Sequence, residues 1–332
     1  MAEPAAAETC ICDYLGQRDG SSSRKEILAG LRDSPRRIPS RFFYDRRGSE
    51  LFEEITGLPE YYLTGAEKSI LKANADRLLG SPEGLDIVEL GSGDCSKVSL
   101  LLDAVPEDCL ESVCYLPVDV SRSALARSAR NLTESYPGLR VVCLRDDFCR
   151  CMSRFPDYGR KLILFLGSTI GNLEESAAAG LLSALSASMG PDDRLILGLD
   201  MLKDRKVLER AYNDSRGITA EFNRNILRVA NRLADTDFHP DNFVHRAFLN
   251  GAESRMEMHL EASIGQAVSS PWLDEPLQLR KGERIHTETS RKYTAGDIES
   301  LAHNAGFAVR DVLTDGRQRF SLVEMEPVRA GG

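Results

Sequence analysis

The sequence lacks any apolar run approaching the ~20 residues that cross a bilayer. Its start, MAEPAAAETC, has no basic stretch leading into an apolar one, so no secretory signal is read. Both absences predict a cytoplasmic protein with no membrane partner. Positive charge is also short, with 42 Lys and Arg against 51 Asp and Glu and a net charge of −9. Phosphate binding needs a concentrated basic face, so nucleic acid is excluded as a partner. The one local cluster, Arg32, Arg36, Arg37 and Arg41, is short and reads as a solvated face. Cysteine occurs in two CxC pairs but in no CxxC pair followed by another at zinc spacing. No metal is therefore expected, and the thiols read as reduced. A P-loop GxxxxGK is missing as well.

What is present is an α/β rhythm in a chain of 332 residues, long enough for two domains. From about residue 67, short apolar strands (86–90, 113–118, 141–144, 162–166, 194–199) alternate with helical stretches (67–79, 97–104, 123–136, 174–189). This spacing predicts a parallel sheet with helices on both faces. After Asp200 the rhythm breaks: 204–235 reads as helical throughout, and 243–263 alternates like antiparallel strands. Later strands are read over 284–289, 307–313 and 320–323. Residues 1–23 are poorly patterned and are expected to form a tail or a loosely attached helix. The predicted division is a sheet domain over 67–200 plus 292–332 and an α+β domain over 1–66 plus 201–291.

In an open parallel sheet, ligands bind beyond the carboxyl ends of the strands. The first sheet strand ends in Glu89-Leu90-Gly91-Ser92-Gly93, a turn where backbone can approach a ligand. It is not GxGxxG, because Ser96 stands at the third glycine. Strand two ends in Asp119, a carboxylate able to accept both hydroxyls of a ribose. Strand three is followed by Asp146-Asp147-Phe148, an acceptor and a ring suited to adenine. Any one of these acids reads equally well as a helix cap or turn residue. Three features in this order are the arrangement of class I methyltransferases, which bind S-adenosylmethionine (SAM). NAD fits the first two, but the second half of the chain shows no second mononucleotide-binding unit.

Longer strings are more specific. They are Phe43-Tyr44-Asp45 with Gly48-Ser49-Glu50-Leu51-Phe52, Ile55 through Tyr62, Phe165 through Asn172, Gly217 through Asn225, Glu257-Met258, and Thr287-Glu288-Thr289-Ser290. With these the chain resembles the histidine-specific N-alpha-methyltransferases of ergothioneine biosynthesis, from about residue 24 to the late strands. The resemblance implies a Rossmann-like class I methyltransferase core with a second, α+β substrate domain. It implies successive methylation of L-histidine to its trimethylated betaine, hercynine, by a monomeric enzyme. Carried over by position, Gly91, Lys97, Asp119, Asp147 and Phe148 hold SAM, with Tyr44 near it. Tyr61, Gly167, Asn172 and Tyr212 hold the amino and carboxylate groups of the amino acid. Glu288 and Ser290 bind the imidazole, and Met258 lines that pocket. Asn172, Tyr44 and Tyr61 are the groups implied at the reacting amine. The chain departs from the family pattern at Tyr62-Leu63-Thr64-Gly65 and at His259.

These residue types suit an in-line displacement. A neutral amine must be aimed at a methyl carbon, and positioning supplies much of the rate. Asn172 can accept from the amine through its carbonyl oxygen. No histidine or lysine stands in the strings as an obvious base, and none is assigned. Glu288 and Ser290 are spaced to share one strand face. Apart from the resemblance, that pair reads as a solvated face, and another amine substrate or a non-catalytic SAM-binding protein fits the remaining residues.

Overall fold

The computed structural model describes residues 10–15, 21–149, 151–155 and 159–328. The chain divides into two compact units: Met1–Leu15, Leu63–Leu202 and Tyr293–Gly332 form unit one, and Gly16–Tyr62 with Lys203–Lys292 form unit two. Among the described residues, no helix is long and apolar enough to cross a membrane.

Unit one is built on eight strands: β1 (Cys10–Asp13), β3 (Leu85–Leu90), β4 (Cys114–Asp119), β5 (Arg140–Arg145), β6 (Arg160–Phe165), β7 (Arg194–Asp200), β13 (Phe307–Thr314) and β14 (Phe320–Pro327). Their order is β1-β5-β4-β3-β6-β7-β14-β13. The first six are parallel, β14 runs antiparallel to β7, and β13 antiparallel to β14. Every residue of β3 is buried, as a strand covered on both faces requires. Covering helices are α3 (Tyr62–Leu79), α4 (Val98–Leu102), α5 (Arg122–Ser135), α6 (Glu175–Ser188) and α9 (Ala295–Asn304). β3 pairs with β4 on one side and β6 on the other, so the loops leaving β3 and β6 diverge. That reversal point is where a doubly wound sheet opens a crevice. The α/β expectation of a Rossmann-like core is met.

Unit two joins a mixed sheet to helices. Its strands β2 (Arg36–Arg37), β8 (Phe243–Asn250), β9 (Arg255–Ala262) and β12 (Arg284–Arg291) take the order β2-β12-β9-β8. A separate hairpin pairs β10 (Gln266–Val268) with β11 (Leu277–Leu279). The helices are α1 (Ser21–Arg32), α2 (Arg46–Thr56), α7 (Arg205–Tyr212) and α8 (Ile218–Ala234). α8 organises the unit. Phe222 stacks on Phe43 at 4.5 Å, and Asn225 donates to Asp45 Oδ1 at 2.9 Å. Asn223 donates to the His259 carbonyl at 3.0 Å and accepts from Thr287 at 2.7 Å. Asp45 in turn caps α2 by accepting from Gly48 N–H. A Cβ on Gly48 would lie 1.6 Å from the Phe43 carbonyl oxygen, so only glycine fits there.

Two expectations change. Residues 204–235 are not one helix: Gly217, at φ +73°, breaks them into α7 and α8, and Asp214 accepts the first N–H groups of α8. The expected N-terminal tail contains β1, which pairs in parallel with β5 and so belongs to the large sheet. Its four residues are too few to stand out as a periodic pattern.

Candidate active site

In unit one, Gly91 and Gly93 adopt φ +69° and +55°, a region glycine enters without strain. The turn they make is tied to β4: Gly91 N–H donates to the Val118 carbonyl at 2.8 Å. Asp119 Oδ2 accepts Gly93 N–H at 2.9 Å, and Oδ1 accepts Ser121 N–H at 2.8 Å. Burial pushes the Asp119 carboxyl up, against those N–H donors that hold it down. The carboxylate retains lone-pair capacity for a further donor. Asp147 Oδ1 accepts Cys149 N–H at 3.0 Å, while its neighbour Asp146 is wholly buried and ion-paired to Arg154. Phe148 packs on Phe165 at 5.2 Å, and its ring edge lies 3.9 Å from where a Gly91 Cβ would stand. Gly91, Phe148 and Asp119 thus converge on the turn after β3. Ser92 Oγ is buried there with no hydrogen-bond partner. A glycine cradle beside a ring, a held carboxylate and an unsatisfied hydroxyl fit an adenosyl group.

β6 is followed, after Leu166, by two left-handed residues, Gly167 at φ +74° and Ser168 at φ +57°. Gly167 N–H donates to Glu67 Oε1 at 2.7 Å, and Glu67 Oε2 pairs with Lys97 Nζ at 2.8 Å. Burial works against the Lys97 charge, but Glu67 and Glu89 raise its pKa beyond the usual value. Gly198 leaves room for the Glu67 carboxylate, because a Cβ there would come within 2.4 Å of it. Burial pushes Glu89 up to about 8, although Tyr115 donates to it at 2.6 Å. Glu67 was not legible as a site residue, since it reads as one polar position on an amphipathic helix. Asn172 ends the short helix Thr169–Asn172 that follows Ser168.

Unit two gathers the remaining residues. An aromatic chain runs Tyr44–Phe52 (5.7 Å), Phe52–Tyr61 (6.2 Å) and Tyr61–Tyr212 (6.4 Å). Tyr212 then donates to Ser290 Oγ at 2.9 Å. A bulge between His286 and Glu288 resets the alternation of β12. Glu288 pairs across to Met258, and Ser290 to Met256. Glu288 and Ser290 therefore share one face with the buried Met258. Burial pushes Glu288 up to about 7, with Lys292 pulling the other way. Lys292, absent from every string noticed in the sequence, donates to Tyr212 Oη at 3.0 Å and Ser290 Oγ at 2.9 Å. Tyr62 is buried and accepts from Lys203 at 2.8 Å, so it stands apart from this set.

The other face of β9 and β12 carries Glu257, His259 and His286, with one ligand atom of each within 4.8 Å of the others. Their capacity is engaged within the protein. Glu257 accepts from Asn250 at 2.9 Å and Arg255 at 2.8 Å, and His259 Nε2 lies 2.9 Å from it. Burial and the neighbouring His259 push His286 down to about 4. His259, a departure from the family pattern, stacks on Phe248 at 5.2 Å with planes 6° apart. The imidazole there fills an aromatic position.

Comparison with known proteins follows the same lines. A family model described as histidine-specific methyltransferase, SAM-dependent, matches residues 23–327. The Histidine N-alpha-methyltransferase of Mycolicibacterium smegmatis is 37% identical over 94% of this chain and 97% of its own. That of Mycobacterium tuberculosis is 41% identical over 85% of this chain and 88% of its own. Ergothioneine biosynthesis protein 1 of Neurospora crassa is 35% identical over 85% of this chain, which spans 32% of that longer protein.

Proposed function

Because the chain belongs to the SAM-dependent histidine-specific methyltransferase family, we propose that it methylates the alpha-amino nitrogen of L-histidine. Three successive transfers would give the betaine hercynine, with S-adenosylhomocysteine released at each. The observation that carries this reading is the recognition row on β12. Glu288 and Ser290 lie side by side on a buried face opposite methionine, suited to the two nitrogens of an imidazole.

SAM supplies an electrophilic methyl on a sulfonium. Gly91, Asp119, Asp147, Phe148 and Lys97 are assigned to holding it. Gly91 and Phe148 shape an apolar slot for adenine, and Asp119 accepts from the ribose. On the substrate, Asn172 accepts from the amine through its carbonyl oxygen, which aims the nitrogen lone pair. Tyr44 and Tyr61 orient the amine or pass its proton to water, and Tyr212 with Gly167 completes the hold on the amino-acid backbone. Glu288 accepts the imidazole N–H. A site built to bond a ring N–H rejects side chains lacking it, because its own polar groups would be left unpaired.

The direct test is incubation with SAM and L-histidine, followed by mass spectrometry. Products bearing one, two and three added methyl groups are expected. Methylation of another amine in an amino-acid panel, with none on histidine, would overturn the substrate assignment.

A further inference from the structure

Lys292 follows β12 directly and its side chain is 0% exposed. Burying an ammonium costs several kcal/mol unless its donors are met. Two of them point at neutral hydroxyls: Ser290 Oγ at 2.9 Å and Tyr212 Oη at 3.0 Å. Those two oxygens are themselves 2.9 Å apart, with Tyr212 donating to Ser290. Three polar atoms thus form a closed triangle.

The hydrogens in this triangle can be counted. An ammonium has three donors and no acceptor, so both oxygens accept from Lys292. One proton lies between the two hydroxyls, and the phenol is the more acidic donor. Ser290 Oγ then accepts twice, which spends both its lone pairs. Its own O–H can only be given to a third group. Glu288 stands two residues earlier on the same strand face, within the electrostatic reach of Lys292. Burial raises this carboxyl to about 7 with Lys292 opposing, and a ring N–H donated to it favours the ionised form, an acceptor without a proton.

We infer that Lys292 is a positioning residue that fixes the polarity of ring recognition, holding Ser290 as donor and Glu288 as acceptor. The site then takes a neutral imidazole, with one N–H and one bare nitrogen, and refuses an imidazolium. A second ring N–H would meet a serine oxygen with no lone pair left. This rests on the assignment of Glu288 and Ser290 to the imidazole.

The test reads the bound ring directly. L-Histidine labelled with nitrogen-15 in the ring is bound to the wild-type protein with S-adenosylhomocysteine at pH about 6.5, where half of the free ring is charged. The expected spectrum shows one protonated and one bare ring nitrogen; two protonated nitrogens would overturn the inference. In Lys292→Met, Ser290 regains an accepting lone pair, so a doubly protonated fraction should appear. KM for histidine should rise about tenfold with kcat within about threefold, the scale of one charged hydrogen bond. Lys292→Arg, also a donor-only cation, should restore the singly protonated ring and part of the KM. A Lys292→Met variant that lowers kcat alone and keeps the neutral ring would reduce Lys292 to a structural role. If that variant does not fold, the wild-type spectrum still decides. Failure of histidine to bind at all sinks the parent reading together with this one, whereas a doubly protonated ring sinks this one alone.

Discussion

The two units hold their functional polar groups in different ways. In unit one, Asp119 and Asp147 are fixed by backbone N–H groups one strand or two residues away. In unit two, Ser290 is fixed by the side chains of Tyr212 and Lys292, the first of them 78 residues distant. Backbone donors come with the strand-end geometry, so the first arrangement survives wide changes in neighbouring side chains. A network of side chains is only as good as its weakest member. On the proposed assignments the methyl-donor half is thus robust and generic, and the recognition half is fragile and specific.

The largest effect should follow from breaking the robust side at its centre. Asp119→Ala removes a carboxylate suited to two ribose hydroxyls, at about 1.5–3 kcal/mol for each charged hydrogen bond. Affinity for S-adenosylhomocysteine, measured by calorimetry, should fall a hundredfold or more. A variant that keeps its affinity would remove Asp119 from the donor site. Glu288→Ala comes next. KM for histidine should rise about ten- to a hundredfold, while S-adenosylhomocysteine affinity stays within about twofold, because one acceptor is lost from one half only. Equal losses for both ligands would erase the contrast between the units. Gly91→Ala is smaller. Its left-handed φ of +69° strains a Cβ by about 1–2 kcal/mol, while the nearest atoms, on Thr169 and Phe148, are at ordinary contact distance. The unfolding free energy from denaturant titration should fall by that amount; no change would mean the turn relaxes freely.

The same contrast governs what the sequence discloses. Gly91, Asp119 and Asp147 are legible because strand, turn and acid are local and recur in a fixed order. Glu67, the partner of Gly167 and Lys97, and Gly198 beside it are not, since a buried glutamate on a helix looks like a solvated one until the sheet places it. Glu288 and Ser290 were reached through the family strings and not through patterning. The bulge after His286 and the burial of Lys292 have no local signal, because both depend on pairing with β9 and α7. β1 escaped because four residues carry too little periodicity to be told from a tail. The break between α7 and α8 was in principle readable, as Gly217 and Asp214 are ordinary punctuation for a helix start.

The smallest effect sharpens the comparison through pH. Glu89 in unit one is pushed up to about 8 by burial, with the Tyr115 hydrogen bond and Lys97 opposing. Glu288 in unit two is pushed up to about 7 by burial, with Lys292 opposing. Both folded-state values exceed the usual 4.5, so the folded protein binds these protons more tightly than the unfolded chain does. Their contribution to stability is fully present below pH about 4.5 and is lost as pH rises through the folded values. The thermal midpoint should therefore fall from pH 5 to 9. Glu89→Gln stays neutral and keeps a carbonyl acceptor for Tyr115, so it should abolish the fall between about 7 and 8 and roughly halve it below 7. Glu288→Gln should roughly halve the fall below about 7 and leave the part between 7 and 8. A fall that neither variant changes would mean that both carboxylates are already ionised in the fold. Glu89 would then be an ionised partner of Lys97 in a donor half held by charge as well as by backbone.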